Sequence, residues 1–406
     1  MNPALTATAV RIDEDIDLID FAGADGMVIT RDGVGLAGIG CAATISFGPN
    51  ERAQAAHLVH TVLNGMDRRG AEGAPAPVAF GALPYDPLAP GRLVVPAVQL
   101  HRRDDGTRWA VLIGARGADP APLDLRPSPT WEGPERFEVV AAQSPTWWMQ
   151  RVAQASQRIR AGELRKVVLA RELVVTSDRP IDPRVVLRRL RAGYPRCYVS
   201  YVDGFGCASP ELLVSRHGDV VRAHPMAGTA PRLGDPAADA RLAASLLANP
   251  NYRNEHQLTI DMVHETLLGW CSFLDAEPEP SVVAIANVQH LATLVEGRLS
   301  RPEPSVLELV TALHPTPAVG GDPTAVALDL QRELESLDRR RYAGPVGWVD
   351  ADGNGEWAVG IRAAEFAGDT VRVYAGNGIV ADSDPGTELA ETQAKFAAML
   401  GALLRL

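Results

Sequence analysis

Apolar residues along the chain fall into two rhythms, and the change between them predicts the architecture. In the first third, short apolar runs at 27–30, 42–47, 92–100 and 109–114 are broken by Gly and Asp and read as strands. One helical stretch lies among them at 51–66. A proline-rich stretch at 119–134 reads as a connection. Beyond it the signals become regular. Ser144 followed by Pro145 supplies an N-cap and a proline at the first helical position, and Val152, Ala155 and Ile159 form one apolar stripe up to Gly162. The apolar run 167–175 predicts a strand.

Asp182 and Pro183 open a second helix, which Gly193 ends. Strands are predicted at 197–203, 206–215 and 220–223, helices at 237–247 and 255–270, then strands at 283–299, 346–350, 357–366 and 370–375. A final helix spans 388–404. Groups of neighbouring strands interrupted by groups of helices predict an α+β fold with large antiparallel sheets flanked by helices. Regular β-α-β alternation is missing, which disfavours a doubly wound sheet. The chain divides into a β-rich N-terminal half of the fold, 1–135, and a longer, more regular region, 136–406. No internal repeat is legible.

Composition narrows the function. The 406 residues, 46% hydrophobic and 22% charged, are those of a globular protein. A net charge of −11 argues against a nucleic-acid or membrane-surface binder. An anionic substrate would need a local cationic pocket or a metal. The four cysteines are scattered with no CxxC pair, which fits a reducing cytoplasm and offers no zinc site. No apolar run approaches membrane-spanning length and no signal pattern opens the chain, so a cytoplasmic protein is expected.

Several patterns carry candidate chemistry, each beside a plainer meaning. Gly33, Gly35 and Gly38 form a GxGxxG, but the next segment reads as a strand instead of a helix, so a hairpin is the better reading. The run DADGNGE at 350–356 has the look of a calcium loop, yet its twelfth position is Arg362 and a turn between strands is preferred. Glu388, Glu391 and Lys395 share one stripe of the last helix. That spacing usually marks a salt-bridged surface. Glu255 opens another helix, and two glutamates on separate helices could bind a hard cation such as Mg²⁺. Lys166 precedes an apolar strand and Glu211 lies beside another. Buried and facing one substrate, they would serve as general base and general acid, although spacing alone makes each no more than the edge of a strand.

Together the segments RKVVLAR (165–171), SPELL (209–213), HPMAGTAPR (224–232), NEHQL (254–258), QHLAT (289–293), HPTPAVGG (314–321), YAGNGI (374–379) and ELAET (388–392) resemble, in order, the chorismate-binding domain shared by isochorismate, anthranilate, aminodeoxychorismate and salicylate synthases. FGALPYD (80–86) resembles the family's N-terminal half. The resemblance implies a fold like that of anthranilate synthase component I. It implies Mg²⁺ held by Glu255 and Glu391, with Glu388 close by, and chorismate carboxylates held by Arg362 and Lys395. Backbone N–H groups around Gly228, Thr229, Gly376 and Gly378 would help, with His290 in the pocket.

Three positions indicate the subclass by the same resemblance. Ammonia-adding members carry glutamine where this chain has Lys166. Ala227 stands where some aminodeoxychorismate synthases carry a nucleophilic lysine, and Ala318 where pyruvate-expelling members tend to carry threonine. The implied activity is isochorismate synthesis, with Lys166 as base and Glu211 as acid, no organic cofactor, no glutaminase subunit and a monomeric chain. A salicylate synthase is the nearest rival, and a non-catalytic chorismate-binding regulator the alternative of another class. The pathway served, menaquinone or siderophore, is left open.

Overall fold

The computed structural model describes residues 5–117, 133–286 and 288–404. The proline-rich connection falls mostly outside them. Four similar units organise these residues, each a helix, a two-stranded hairpin and a third strand that leaves the hairpin's sheet for another. The first comprises α1 (Leu18–Ala22), β1 (Met27–Arg31), β2 (Val34–Ile39) and β3 (Ala43–Phe47). The second comprises α2 (Ala55–Asn64), β4 (Val78–Ala82), β5 (Gly91–Val95) and β6 (Val98–Arg102). After the long strand β7 (Lys166–Ser177), the third follows as α3 (Pro183–Gly193), β8 (Tyr198–Val202), β9 (Phe205–Ser209) and β10 (Leu212–His217).

Between the third and fourth units lie β11 (Met226–Pro231), α4 (Pro250–Leu268) and β12 (Val288–Ala292), which build one wall of the site. The fourth unit is α5 (Val306–Leu313), β13 (Pro345–Asp350), β14 (Gly355–Val359) and β15 (Ala363–Ala367). Strand β16 (Thr370–Ile379) and helix α6 (Pro385–Leu404) close the chain.

Among the described residues the largest sheet has 13 strands, and its order through the middle is β7-β16-β15-β9-β8-β1-β2-β6. The second has nine, with β10-β14-β13-β4-β5-β3 in sequence. Both orders are symmetric about a central antiparallel pair, β8 with β1 in one sheet and β13 with β4 in the other. The chain therefore contains a structural duplication that its sequence hides, correcting the reading of no repeat. Segments 1–135 and 136–406 share both sheets. A small third sheet contains β11 and β12.

Alternation along β1 shows how the layers form. Met27 and Ile29 join the core cluster that also holds strands of the nine-stranded sheet, whereas Val28 packs with Leu18 and Ile19 of α1 and with Val186 and Leu190 of α3. Both faces are covered, so Met27, Val28 and Ile29 are apolar in succession, without polar alternation. Runs 92–100, 206–215 and 357–366, each expected as one strand, are each split in two where the chain changes sheets, at Pro96-Ala97, Pro210-Glu211 and Gly360 to Arg362. Run 283–299 divides into Ser281–Ala284, β12 and Val295–Leu299. Helix α4 starts five residues before the expected Glu255, because Asn249 caps it by accepting from the Asn251 N–H and Pro250 takes the first position. Gly33, Gly35 and Gly38 lie on the β1–β2 hairpin, and residues 350–356 form the turn between β13 and β14, as expected.

Trp357 of β14 is fully buried and sits in a slot made by two glycines of neighbouring strands. A Cβ on Gly81 would come within 2.8 Å of the indole, and one on Gly347 within 2.6 Å. Trp357→Ala should cost about 3–5 kcal/mol by leaving a cavity, and Gly81→Val about 1–3 kcal/mol by overpacking. Urea unfolding checks this: both midpoints should fall, and unchanged midpoints would show that the slot contributes nothing.

Candidate active site

A cavity of about 580 Å³ opens between β7, β16 and α6 on one side and β11, β12 and α4 on the other. Glu211, Gly228, Thr229, Glu255, His290, Ala318, Arg362, Gly376, Gly378, Glu388, Glu391 and Lys395 all line it. Lys166 does not. It is 1% exposed and projects from the same face of β7 as the cavity-lining Val168, with its Nζ 2.7 Å from Glu255 Oε1.

Two of the sheet crossings deliver charge to this cavity. Glu211 follows Pro210 where β9 gives way to β10, and Arg362 precedes β15 at the matching break after β14. Both side chains are buried. The Glu211 carboxyl accepts from the Met226 N–H. Burial pushes its pKa up to about 8, and the opposing pull of that hydrogen bond, Lys166 and Arg362 is too weak to reverse this. At neutral pH Glu211 therefore carries a proton.

Arg362 has a left-handed backbone, φ 49°, which is costly for a residue with a side chain and persists only where the surroundings enforce it. Its Nη2 donates to His290 Nε2 at 2.7 Å, while its Nη1 is buried without a partner. An orphaned guanidinium N–H on a cavity-lining arginine is a natural donor for a carboxylate. Burial, reinforced by Arg362 and Lys395, drives the His290 pKa well below its usual value. The imidazole is thus neutral. Because Nε2 accepts from Arg362, the proton sits on Nδ1 and is donated to the Gly228 carbonyl at 3.0 Å. Gly228 needs its glycine: φ is 69°, and a Cβ there would lie 3.3 Å from Tyr252.

Strand β16 pairs with β7 so that Gly378 stands opposite Val168 and Gly376 opposite Ala170. A Cβ on Gly378 would fall 2.6 Å from Lys166 Cε and 2.8 Å from Glu255 Oε1, so only glycine leaves room for that ion pair. The three N–H directions of Lys395 are all in use, toward Gly376 O at 3.0 Å, Asn377 Oδ1 at 2.7 Å and Glu391 Oε1 at 2.8 Å. Its contribution at the cavity is therefore chiefly charge.

Glu255 on α4 and Glu388 and Glu391 on α6 line the same cavity. The Tyr252 phenol is raised first by burial and then by Glu391, Glu255 and Glu388, so all three carboxylates converge near it. Glu388 itself is raised by burial despite hydrogen bonds from Ser383 and Asn377. Among the described residues, no three acidic, imidazole or thiol groups stand close enough to hold a metal alone. An all-oxygen set of this kind fits Mg²⁺, which takes one or two carboxylates and fills its other positions with water and substrate oxygens. Tyr252, Tyr342, Ser383 and Asn377 were missed from the sequence. The alternation of β16 carried the signal for Asn377, since it lies between two cavity-facing glycines and must point the other way.

The family described as chorismate binding enzyme matches residues 29–404. A Mycobacterium tuberculosis protein, itself provisionally assigned as isochorismate synthase MenF, is 41% identical over 346 residues, covering 81% of this chain and 87% of that protein. Isochorismate synthase DhbC of Bacillus subtilis is 37% identical over 342 residues, 82% of each chain. The solved structure of MenF, the menaquinone-specific isochorismate synthase of Escherichia coli, superposes with a TM-score of 0.82 at 24% identity, covering all of this chain and 95% of that one, and shares the fold. With a match across nearly its whole length and relatives this similar, the chain belongs to the chorismate-binding enzyme family.

Proposed function

We propose that this chain is an isochorismate synthase, which adds water at C2 of chorismate and expels the C4 hydroxyl, leaving the enolpyruvyl group in place. One observation carries the reading. A carboxylic acid protonated at neutral pH and a buried lysine stand at one cavity, beside a buried guanidinium with an unpaired N–H. Such a set suits a substrate carboxylate, a leaving hydroxyl that needs a proton and a water that must lose one. The similarity to isochorismate synthases of menaquinone and siderophore pathways supports it.

Arg362 would take a substrate carboxylate on Nη1 while His290 keeps the guanidinium plane fixed through Nη2. Lys166, in its neutral form, takes a proton from the water that attacks C2. Glu211 gives its proton to the C4 hydroxyl as that bond breaks and the ring double bonds shift. Mg²⁺ held by Glu255 and Glu391, with Glu388 beside them, would supply positive charge for a substrate carboxylate. Glu255 would be shared between the two, since its Oε1 already accepts from Lys166. Ala227 on β11 offers no nucleophile, and Ala318 puts only a methyl group at the cavity wall. On this reading the chain works in the cytoplasm as a monomer, without a glutaminase subunit.

Incubation with chorismate and Mg²⁺ should give isochorismate with at most trace pyruvate. Ala318→Thr should raise the pyruvate fraction in a lactate dehydrogenase-coupled assay, because a hydroxyl and a methyl would hold the enolpyruvyl arm in place longer. Stoichiometric salicylate and pyruvate from the wild type at neutral pH would make it a salicylate synthase instead.

Lys166→Ala and Glu211→Gln should each lose about 10²–10⁴ in kcat while still binding chorismate. The acid form of Glu211 disappears as pH rises through about 8, so wild-type kcat/KM should fall on that limb, and the residual activity of Glu211→Gln should not show it. A wild-type profile flat through this range, or a variant retaining more than roughly a third of kcat, is incompatible with the assigned roles.

Exhaustive chelation with EDTA should abolish turnover and added Mg²⁺ should restore it, with Glu391→Gln requiring more metal. Full turnover after chelation would remove the metal from the account.

A further inference from the structure

Asn377 is 1% exposed on β16, between the two glycines that face the cavity, and its side chain points beneath α6. There the amide joins two charged groups of opposite sign. Nδ2 donates to the Glu388 carbonyl and to Glu388 Oε2, both at 2.9 Å, and Oδ1 accepts from Lys395 Nζ at 2.7 Å. Ser383 Oγ donates to the other Glu388 oxygen at 2.7 Å. Lys395 in turn holds Glu391. Glu388, Glu391 and Lys395 occupy successive turns of one helix face, so Asn377 grips the first and last members and the middle one follows.

Only an amide does this without penalty. It donates and accepts from one planar group, so it can satisfy a carboxylate and an ammonium together. Alanine would leave a half-buried carboxylate oxygen and a half-buried N–H without this partner, and aspartate would still accept from Lys395 but would turn an anion toward Glu388. We infer that Asn377 is a positioning residue that sets the rotation of α6, and with it the aim of the Glu388 and Glu391 carboxylates and of the Lys395 ammonium. The inference rests on the reading of the cavity as a Mg²⁺-dependent chorismate site.

The test uses the full-length chain with two readouts, calorimetric titration of Mg²⁺ without chorismate and steady-state kinetics with it. Asn377→Ala should bind Mg²⁺ about tenfold more weakly, as outer-shell partners of metal ligands typically do when lost, and should raise KM for chorismate with much less effect on kcat. Asn377→Asp keeps the Lys395 acceptor, so its KM should return to within about twofold of the wild type, whether or not the alanine variant folds well enough to measure.

Mg²⁺ affinity and KM in Asn377→Ala both within about twofold of wild type would overturn the inference, even with a lowered melting temperature, since a packing role alone would do that. So would an Asn377→Asp whose KM stays as high as that of Asn377→Ala. Wild-type protein that binds no Mg²⁺ or forms no isochorismate would overturn the reading of the site, and this inference with it. Wild-type protein that does both, beside an unchanged Asn377→Ala, removes the inference alone.

Discussion

A strand that passes from one sheet to another has to break its hydrogen-bond ladder within the fold, and the residue at the break is then placed by both layers at once. That constraint underlies the site. Of the four crossings, the two in the N-terminal half carry Gly40, Cys41 and Ala42, or Pro96 and Ala97, none of them charged. Those in the second half carry Glu211 and Arg362, both buried. Burial keeps Glu211 protonated, and the left-handed backbone of Arg362 is held by the strands on either side. One duplicated scaffold therefore supports two crossings with no charge and two that bring an acid and a cation to a common cavity.

The charge distribution follows from the same placement. A chain of net charge −11 would repel a dianion, yet Lys166, Arg362 and Lys395 are gathered around one cavity. Two of them are tied to carboxylates, Lys166 to Glu255 and Lys395 to Glu391. Arg362 is bonded to a neutral histidine instead, which leaves its charge uncompensated by any paired anion at the place where the substrate would bind. In so enclosed a site an uncompensated charge acts more strongly than it would at a solvated surface.

Much of this was legible in the sequence, and what was not has identifiable causes. Helix starts at Pro145 and Pro183 were plain because a capping side chain and a proline mark them locally. The crossings were invisible as crossings. Apolar residues flank the break on both sides in 206–215 and 357–366, with Glu211 or Arg362 set between them, and hydrophobic pattern does not report which sheet a strand joins. The duplication was hidden for a related reason, because strand order is a property of pairing and four units can share it without sharing residues. Resemblance brought together the residues that line the cavity, but it gave no sign that Lys166 is already paired with Glu255, or that all three N–H groups of Lys395 are already engaged. Those facts depend on side-chain packing between elements far apart in the chain.

Acid catalysis by Glu211 requires its carboxyl to be neutral in the resting protein. Infrared difference spectroscopy between the wild type and Glu211→Gln reads that state directly. A protonated carboxylic acid band should be present at and below neutral pH in the wild type, absent from the variant, and replaced by a carboxylate band as pH rises through about 8. A carboxylate band from Glu211 already present in mildly acidic solution would contradict it.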